Sequence, residues 1–211
     1  MRGGDGAGIH GESRATVTMI DLSLHTLAQA LRDFLKRLPD LNIAFQVELS
    51  SVVKSDGTPA IPDNTLALTL VNVEEERVVK SPSTHIANLN GRIAHINPEI
   101  QLNLYVLCIA NFSIYKTSLE FLSGAIRFFQ CQTSFTPENT PSMDARIQRL
   151  MIHPQNLNFE QQNNLWSSLG GKYMPSVLFK VGVITIQEAL ARDEQEPIKE
   201  VSMPEKVLFP R

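Results

Sequence analysis

The stretch that decides the fold is "LWSSLGGKYMPSVLFKVGVITI", residues 165–186. An apolar helix end, a double glycine, a tyrosine and a proline come before a long strand-like run. Gly170 suits the left-handed position that stops a helix, and Pro175 restricts the backbone where the strand begins. The sequence therefore predicts a short helix that packs Trp166 on a β-sheet, with a rigid corner that directs the final strand.

The rest of the chain alternates between helical and strand periodicity. Residues 21–38 place seven apolar side chains at steps of three and four, which predicts an amphipathic helix that ends before Pro39. Residues 113–130 repeat this pattern with Leu119, Leu122, Ala125, Ile126 and Phe129 on the predicted buried side. The short helix before the corner begins with Asn158 as its N-cap and Gln161 in position for a capping box.

Five segments are predicted to be strands. The half-buried ones alternate apolar and polar residues, whereas "IQLNLYVLCIA" is nearly unbroken and is expected to be buried on both faces. The segments are residues 44–53, 65–76, 100–110, 144–154 and 176–186. Residues 54–64, 80–99 and 133–143 are expected to be loops or irregular chain.

This order of elements predicts the fold class. It is α/β (α+β), with a mixed sheet flanked by two to three helices. We expect a disordered N-terminal extension in residues 1–18, one folded domain in residues 19–186, and a C-terminal tail in residues 187–211.

The composition is that of an ordinary globular protein. Hydrophobic residues make up 43% of the chain and charged residues 19%, and the net charge of −3 argues against a nucleic-acid partner. No apolar run reaches the length of about 18 residues that a membrane span needs. Cys108 and Cys131 both lie in apolar surroundings and are expected to be reduced core residues of a cytoplasmic protein.

Reactive groups are scattered along the sequence. His95 and His153 have no second metal ligand three to five residues away, and His25 is expected on the solvated side of the first helix. Glycine-rich phosphate loops and the nucleophile-elbow pattern are not found. We therefore predict no catalytic site, no metal site and no cofactor.

The C-terminal tail keeps apolar residues in extended spacing: Val201, Met203, Val207, Leu208 and Phe209. Such a tail is able to add a strand to the sheet edge of another subunit. A loosely docked terminus explains the same residues equally well.

Two motifs carry a resemblance to a known family. The first is N-P-x-x-x-L-N-L-Y, formed here by Asn97, Pro98, Leu102, Asn103, Leu104 and Tyr105. The second is L-W-x-x-L-G-x-x-Y-x-P-S, formed by Leu165, Trp166, Leu169, Gly170, Tyr173, Pro175 and Ser176. In this order and spacing, residues 19–186 resemble the cap, or tail-terminator, proteins of phage-tail-like contractile injection systems of the virulence-cassette and antifeeding-prophage type.

The resemblance implies a mechanical protein. Members of that family form a homohexameric ring that closes the distal end of the inner tube and the sheath and ends their polymerisation. The partners that it implies are the sheath protein, the inner-tube protein and further copies of the chain itself. It also implies assembly in the bacterial cytoplasm and a place at the end of a particle that some systems release.

Two alternatives stay open at the level of sequence. The first is a baseplate or tube-initiating adaptor of the same machine, which also forms rings. The second is a small cytosolic enzyme, which would need polar groups that converge in a pocket near His95 and His153.

Overall fold

The computed structural model describes part of the chain and divides it into two units. The backbone is described for residues 12–76, 86–89, 92–95, 100–144, 146–186 and 194–195, and the side chains for residues 19–76, 101–144 and 146–182. One unit spans residues 1–79 and 100–186, and the other spans residues 80–99 and 187–211.

The described elements alternate between helices and strands. In chain order they are α1 (Glu12–Leu35), β1 (Gln46–Leu49), β2 (Thr65–Glu75), β3 (Ile86–Leu89), β4 (Arg92–His95), β5 (Ile100–Asn111), α2 (Tyr115–Cys131), β6 (Ser134–Phe135), β7 (Leu150–Gln155), α3 (Phe159–Ser168), β8 (Ser176–Ile186) and β9 (Glu194–Gln195).

A six-stranded mixed sheet forms the centre of the larger unit. Its strands lie in the order β1-β2-β5-β8-β7-β6, and β1 runs parallel to β2 while the other neighbours are antiparallel. The central strand β5 pairs with β2 on one side and β8 on the other, which explains its long apolar run. The predicted α/β (α+β) fold class is confirmed.

Helices cover both faces of this sheet. On one face, α1 and α2 pack their leucines and phenylalanines against the side of β5 that carries Leu104, Val106 and Cys108. On the other face, α3 packs Trp166 against the side of β5 that carries Leu107 and Ile109. The larger unit therefore has three layers, with the sheet in the middle.

The smaller unit contains a three-stranded sheet in the order β3-β4-β9, with antiparallel pairs. The sequence predicted residues 80–99 to be irregular, and this prediction was wrong for the β3–β4 hairpin. These strands have only four residues each and no long apolar alternation, so their pairing leaves little trace in the sequence.

The first helix is longer at its start than predicted. It begins at Glu12 and ends at Leu35, whereas the sequence predicted residues 21–38 after a disordered extension. Residues 12–18 contain neither glycine nor proline, and lengthening a helix costs less than nucleating one. Residues 1–11 lie outside the described part of the chain.

The buried face of α2 also differs from the prediction. The side chains it buries are Ser118, Phe121, Gly124, Ala125, Phe128 and Phe129. Leu119 and Ile126, both predicted to be buried, are exposed. Cys131 is exposed as well, because it is the last residue of the helix and turns away from the core, while Cys108 is buried as predicted.

Candidate protein-interaction site

The helix that carries Trp166 is fixed at both ends by its own sequence. At its start, the backbone N–H of Gln161 donates to Asn158 Oδ1 at 2.8 Å, and the N–H of Asn158 donates to Gln161 Oε1 at 3.0 Å. At its end, Gly170 adopts a φ of 69°, which glycine tolerates without strain. The predicted capping box and the predicted glycine stop are both confirmed.

Trp166 closes a small core on the α3 face of the sheet. Only 5% of its surface is exposed, and it packs in one cluster with Leu107, Ile109 and Leu178. The ring of Tyr173 meets the indole edge-on, with 5.7 Å between ring centroids. The prediction that Trp166 packs α3 on the sheet is confirmed.

The corner between α3 and β8 is held by a close contact of its backbone with Val52 and by a backbone hydrogen bond to β5. A Cβ atom at Gly171 would collide with the side chain of Val52, so any larger residue would have to displace Val52. The carbonyl of Pro175 accepts a hydrogen bond from the N–H of Ala110 at 2.9 Å, and Ser176 then pairs with Ile109. The final strand therefore starts from a fixed position beside β5.

A polar network crosses three strands on the α3 face of the sheet. The hydroxyl of Tyr105 donates to Glu74 Oε2 at 2.7 Å, and Asn103 Nδ2 donates to Glu76 Oε2 at 2.9 Å. Lys180 Nζ lies 3.9 Å from Glu76 Oε2. The hydrogen bond to Glu74, with partial burial, raises the pKa of Tyr105. Asn103 and Tyr105 are two residues apart and therefore share a face of β5.

A second apolar face of α2 is exposed. Tyr115, Leu119, Leu122 and Ile126 follow each other at steps of four, three and four residues, which places them along one side of the helix. Tyr115 is 67% exposed, Leu119 41% and Ile126 42%. Leu122 is half-buried and packs against the edge of the core, so Tyr115, Leu119 and Ile126 are the exposed members of this stripe.

Phe159, the first residue of α3, is 92% exposed. The sequence analysis missed it as a candidate because a phenylalanine at the start of a helix gives no periodic signal by itself. Burial is the usual state of so large an apolar side chain, so its position is informative.

Sequence comparison identifies the family. The Pvc16 N-terminal domain profile matches residues 24–200. The chain belongs to the Pvc16 N-terminal domain family. No curated protein matches the sequence.

Two solved cryo-EM structures have a similar fold. One is the sheath/tube terminator of the extracellular contractile injection system PVC in its extended state, with a TM-score of 0.57, 15% identity and 90% of this chain covered. The other is the tube-terminating cap of the anti-feeding prophage, with a TM-score of 0.56, 14% identity and 88% of this chain covered. The chain spans 64% and 60% of the lengths of these two proteins. The resemblance to cap proteins drawn from the two motifs is confirmed.

The motif residues of this Pvc16-family chain lie in three places. The α3 corner brings together Leu165, Trp166, Leu169, Gly170, Tyr173, Pro175 and Ser176, and Tyr105 packs partly against the same cluster. Leu104 is buried on the opposite face of β5. Asn97, Pro98 and the tail residues Val201, Met203, Val207, Leu208 and Phe209 lie outside the described residues.

The histidines and cysteines whose side chains are described lie on four different elements. Burial raises the pKa of Cys108 to about 12, so its thiol stays protonated at neutral pH. His153 is exposed on β7, and His25 is exposed on α1 with its Nε2 3.3 Å from Asp21 Oδ1. Among the residues whose side chains are described, no three of His, Cys, Asp or Glu are grouped to hold a metal ion. The described helices include none that is long and apolar enough to cross a membrane.

Proposed function

We propose that this chain is the cap, or tail terminator, of a contractile injection system. In this role it forms a homohexameric ring that closes the distal end of the inner tube and the sheath and stops their polymerisation. The observation that carries the proposal is the match of residues 24–200 to the Pvc16 N-terminal domain family. The shared fold with two tube terminators supports it.

The packing of the larger unit suits a mechanical role. Trp166 is buried, Gly171 lies in close contact with Val52, and the carbonyl of Pro175 is hydrogen-bonded to β5. These three contacts make the corner rigid. A subunit that resists sheath contraction needs rigid elements between its contact surfaces. We infer a structural protein, not an enzyme, which assembles in the bacterial cytoplasm and stays at the particle end.

Imaging of particles tests the proposed place of the chain. A gene deletion should give tubes and sheaths of uncontrolled length, and complementation should restore a uniform length. An affinity label on the chain should appear by electron microscopy at the end opposite the baseplate. A label at the baseplate would instead assign the chain as an adaptor that starts the tube.

Native mass spectrometry tests the proposed ring. We expect a species of six copies of the 23.5 kDa chain, alone or on tube ends. A protein that stays monomeric in both settings would contradict the ring.

The tail is proposed to lend a strand to a sheath subunit. Residues 197–211 follow β9, so a truncation after residue 196 retains the pairing of β9 with β4. The truncated protein should keep its oligomeric mass but lose sheath binding in a pull-down assay. A second variant, the full chain with Leu208 and Phe209 both replaced by aspartate, should lose sheath binding in the same way. Unchanged sheath binding by both variants would reject strand donation.

A further inference from the structure

A groove runs between the turn that follows α1 and the outward side of α2. We call it the α2 groove, and its volume is about 510 Å³. Its walls are mainly apolar, with Leu38 and Leu41 on one side and Leu119 on the other. The remaining lining residues are Asp40, Lys116, Glu120, Ser123, Gly124 and Arg127. A cleft of this size and lining has room for a large apolar side chain.

The α2 groove is continuous with the exposed stripe of α2, since Leu119 belongs to both. Leu119 thus joins the exposed apolar residues of α2 to a groove whose α2 wall also carries Lys116, Glu120 and Arg127. Scattered exposed apolar residues are common, but a contiguous patch beside a cleft is typical of a protein contact.

Phe159 is a large, exposed, apolar side chain of the kind that binds in such a cleft. The capping box holds the first turn of α3 in one conformation, so Phe159 is presented from a rigid base. Aromatic side chains that fill a pocket of the partner are frequent anchors of protein interfaces.

The layers of the fold keep the two features apart within one molecule. The α2 groove lies on the face of the sheet covered by α1 and α2, and Phe159 lies on α3, which covers the other face. A second copy is therefore needed to join them. A contact between two different surfaces of the same chain is heterologous, and it closes into a ring when the rotation allows.

Charge supports the same match. Glu160 follows Phe159 directly, and Arg127 lines the α2 groove. Neither residue forms an ion pair with the part of the chain whose side chains are described. Lys116 and Glu120, which also line the groove, pair with each other at 3.6 Å, so Arg127 and Asp40 are the remaining lining charges. Glu160 is complementary to Arg127 across a contact between copies when it lies on the Arg127 side of the groove, away from Asp40.

We propose that the α2 groove of one copy binds Phe159 of a second copy, with Glu160 paired to Arg127, as the repeating contact of the assembly. The proposal rests on the ring proposed above and names the surfaces that form it. The apolar stripe of α2 extends the contact beyond the groove.

Two single variants of the full chain test the contact. Leu119→Asp places a charge in the α2 groove, and Phe159→Ala removes the anchor. Each should weaken association at least tenfold, measured by analytical ultracentrifugation. Val73→Asp is the matched control, because Val73 is 42% exposed, like Leu119, but lies on β2 away from the groove. Circular dichroism should show all three variants folded.

Mixing the two weakened variants separates this contact from a symmetric one. A Leu119→Asp chain still offers Phe159, and a Phe159→Ala chain still offers an intact groove. Their mixture should form one contact per pair and stop at a heterodimer, which native mass spectrometry resolves with isotope-labelled chains. A symmetric pairing of α2 with α2 would leave Phe159→Ala fully assembled and give no heterodimer, which would overturn the proposal.

A charge exchange tests the pair of Glu160 and Arg127. Glu160→Arg and Arg127→Glu should each reduce association, and the double variant should recover most of it. Additive losses in the double variant would reject the pairing.

The result also separates this inference from the proposed cap function. If every variant keeps the wild-type mass, the surface assignment is wrong, while labelled wild-type protein at particle ends would still support the cap. If the wild-type chain shows no self-association at any concentration or on tube ends, the contact itself is rejected.

Discussion

The ring of Tyr173 stands edge-on to the indole of Trp166, at an interplanar angle of 69° and a centroid distance of 5.7 Å. The pair links the buried end of α3 to the surface of the corner, because Trp166 is enclosed and Tyr173 is exposed. The two rings therefore connect the core on the α3 face to the exposed corner.

Replacing Trp166 with alanine should lower the free energy of unfolding by about 3–5 kcal/mol, since a large aromatic leaves a cavity in a small core. Tyr173→Ala should cost about 0.5–1.5 kcal/mol through the lost ring contact. Urea unfolding followed by circular dichroism measures both. The double variant is expected to cost less than the sum of the two, and strict additivity would show that the rings do not interact.

Adding one methyl group at Gly171 should destabilise the corner. The Cβ of Gly171→Ala collides with the buried, branched side chain of Val52, and overpacking of this kind costs about 1–3 kcal/mol. The matched variant is Gly171→Ala combined with Val52→Ala, which removes the obstructing side chain. If the corner is as tight as described, the second change should cost less in the Gly171→Ala background than in the wild type, as measured by thermal unfolding.

The α3 corner and β8 were predictable because their signals are local. A capping box, a glycine stop and a strand after Pro175 lie within thirty consecutive residues, from Asn158 to Ile186. Local backbone preference and tertiary packing agree there, so each residue indicates the same structure.

The buried face of α2 was not predictable for a physical reason. The helix carries two apolar stripes, one with Phe121 and Phe128 and the other with Leu119 and Ile126. Periodicity detects apolar stripes but does not say whether the covering surface belongs to the same chain or to another. The polar network was missed because Glu74 and Tyr105 are 31 residues apart and meet only through strand pairing.

The two cysteines should differ sharply in reactivity. Cys131 is exposed at the end of α2, whereas Cys108 is enclosed in β5 and burial raises its pKa to about 12. A maleimide reagent at neutral pH should therefore label one thiol in the native protein and two in the denatured protein. Cys131→Ser should abolish native labelling, and Cys108→Ser should leave it intact. Labelling of Cys108 in native protein would show that the sheet opens locally.

The hydrogen bond of Tyr105 to Glu74 should make stability depend on pH at the alkaline end. Because the fold raises the pKa of Tyr105, the neutral hydroxyl is favoured in the native state. This stabilisation is fully present below the ordinary tyrosine pKa of about 10 and is lost as pH rises through the higher native value. Solvent exposure keeps the hydrogen bond at the lower end of about 0.5–1.5 kcal/mol.

The difference in free energy of unfolding between wild type and Tyr105→Phe, measured by urea titration from pH 7 to pH 11, tests this dependence. It should favour wild type at pH 7 to 9 and shrink above pH 10. Tyr115→Phe is the control, since the Tyr115 hydroxyl has no hydrogen-bond partner in the described part of the chain. A difference for Tyr105→Phe that stays constant over the whole range would mean that Glu74 does not raise the pKa of the Tyr105 hydroxyl. In that case β2 and β5 would be joined at this point by backbone pairing alone.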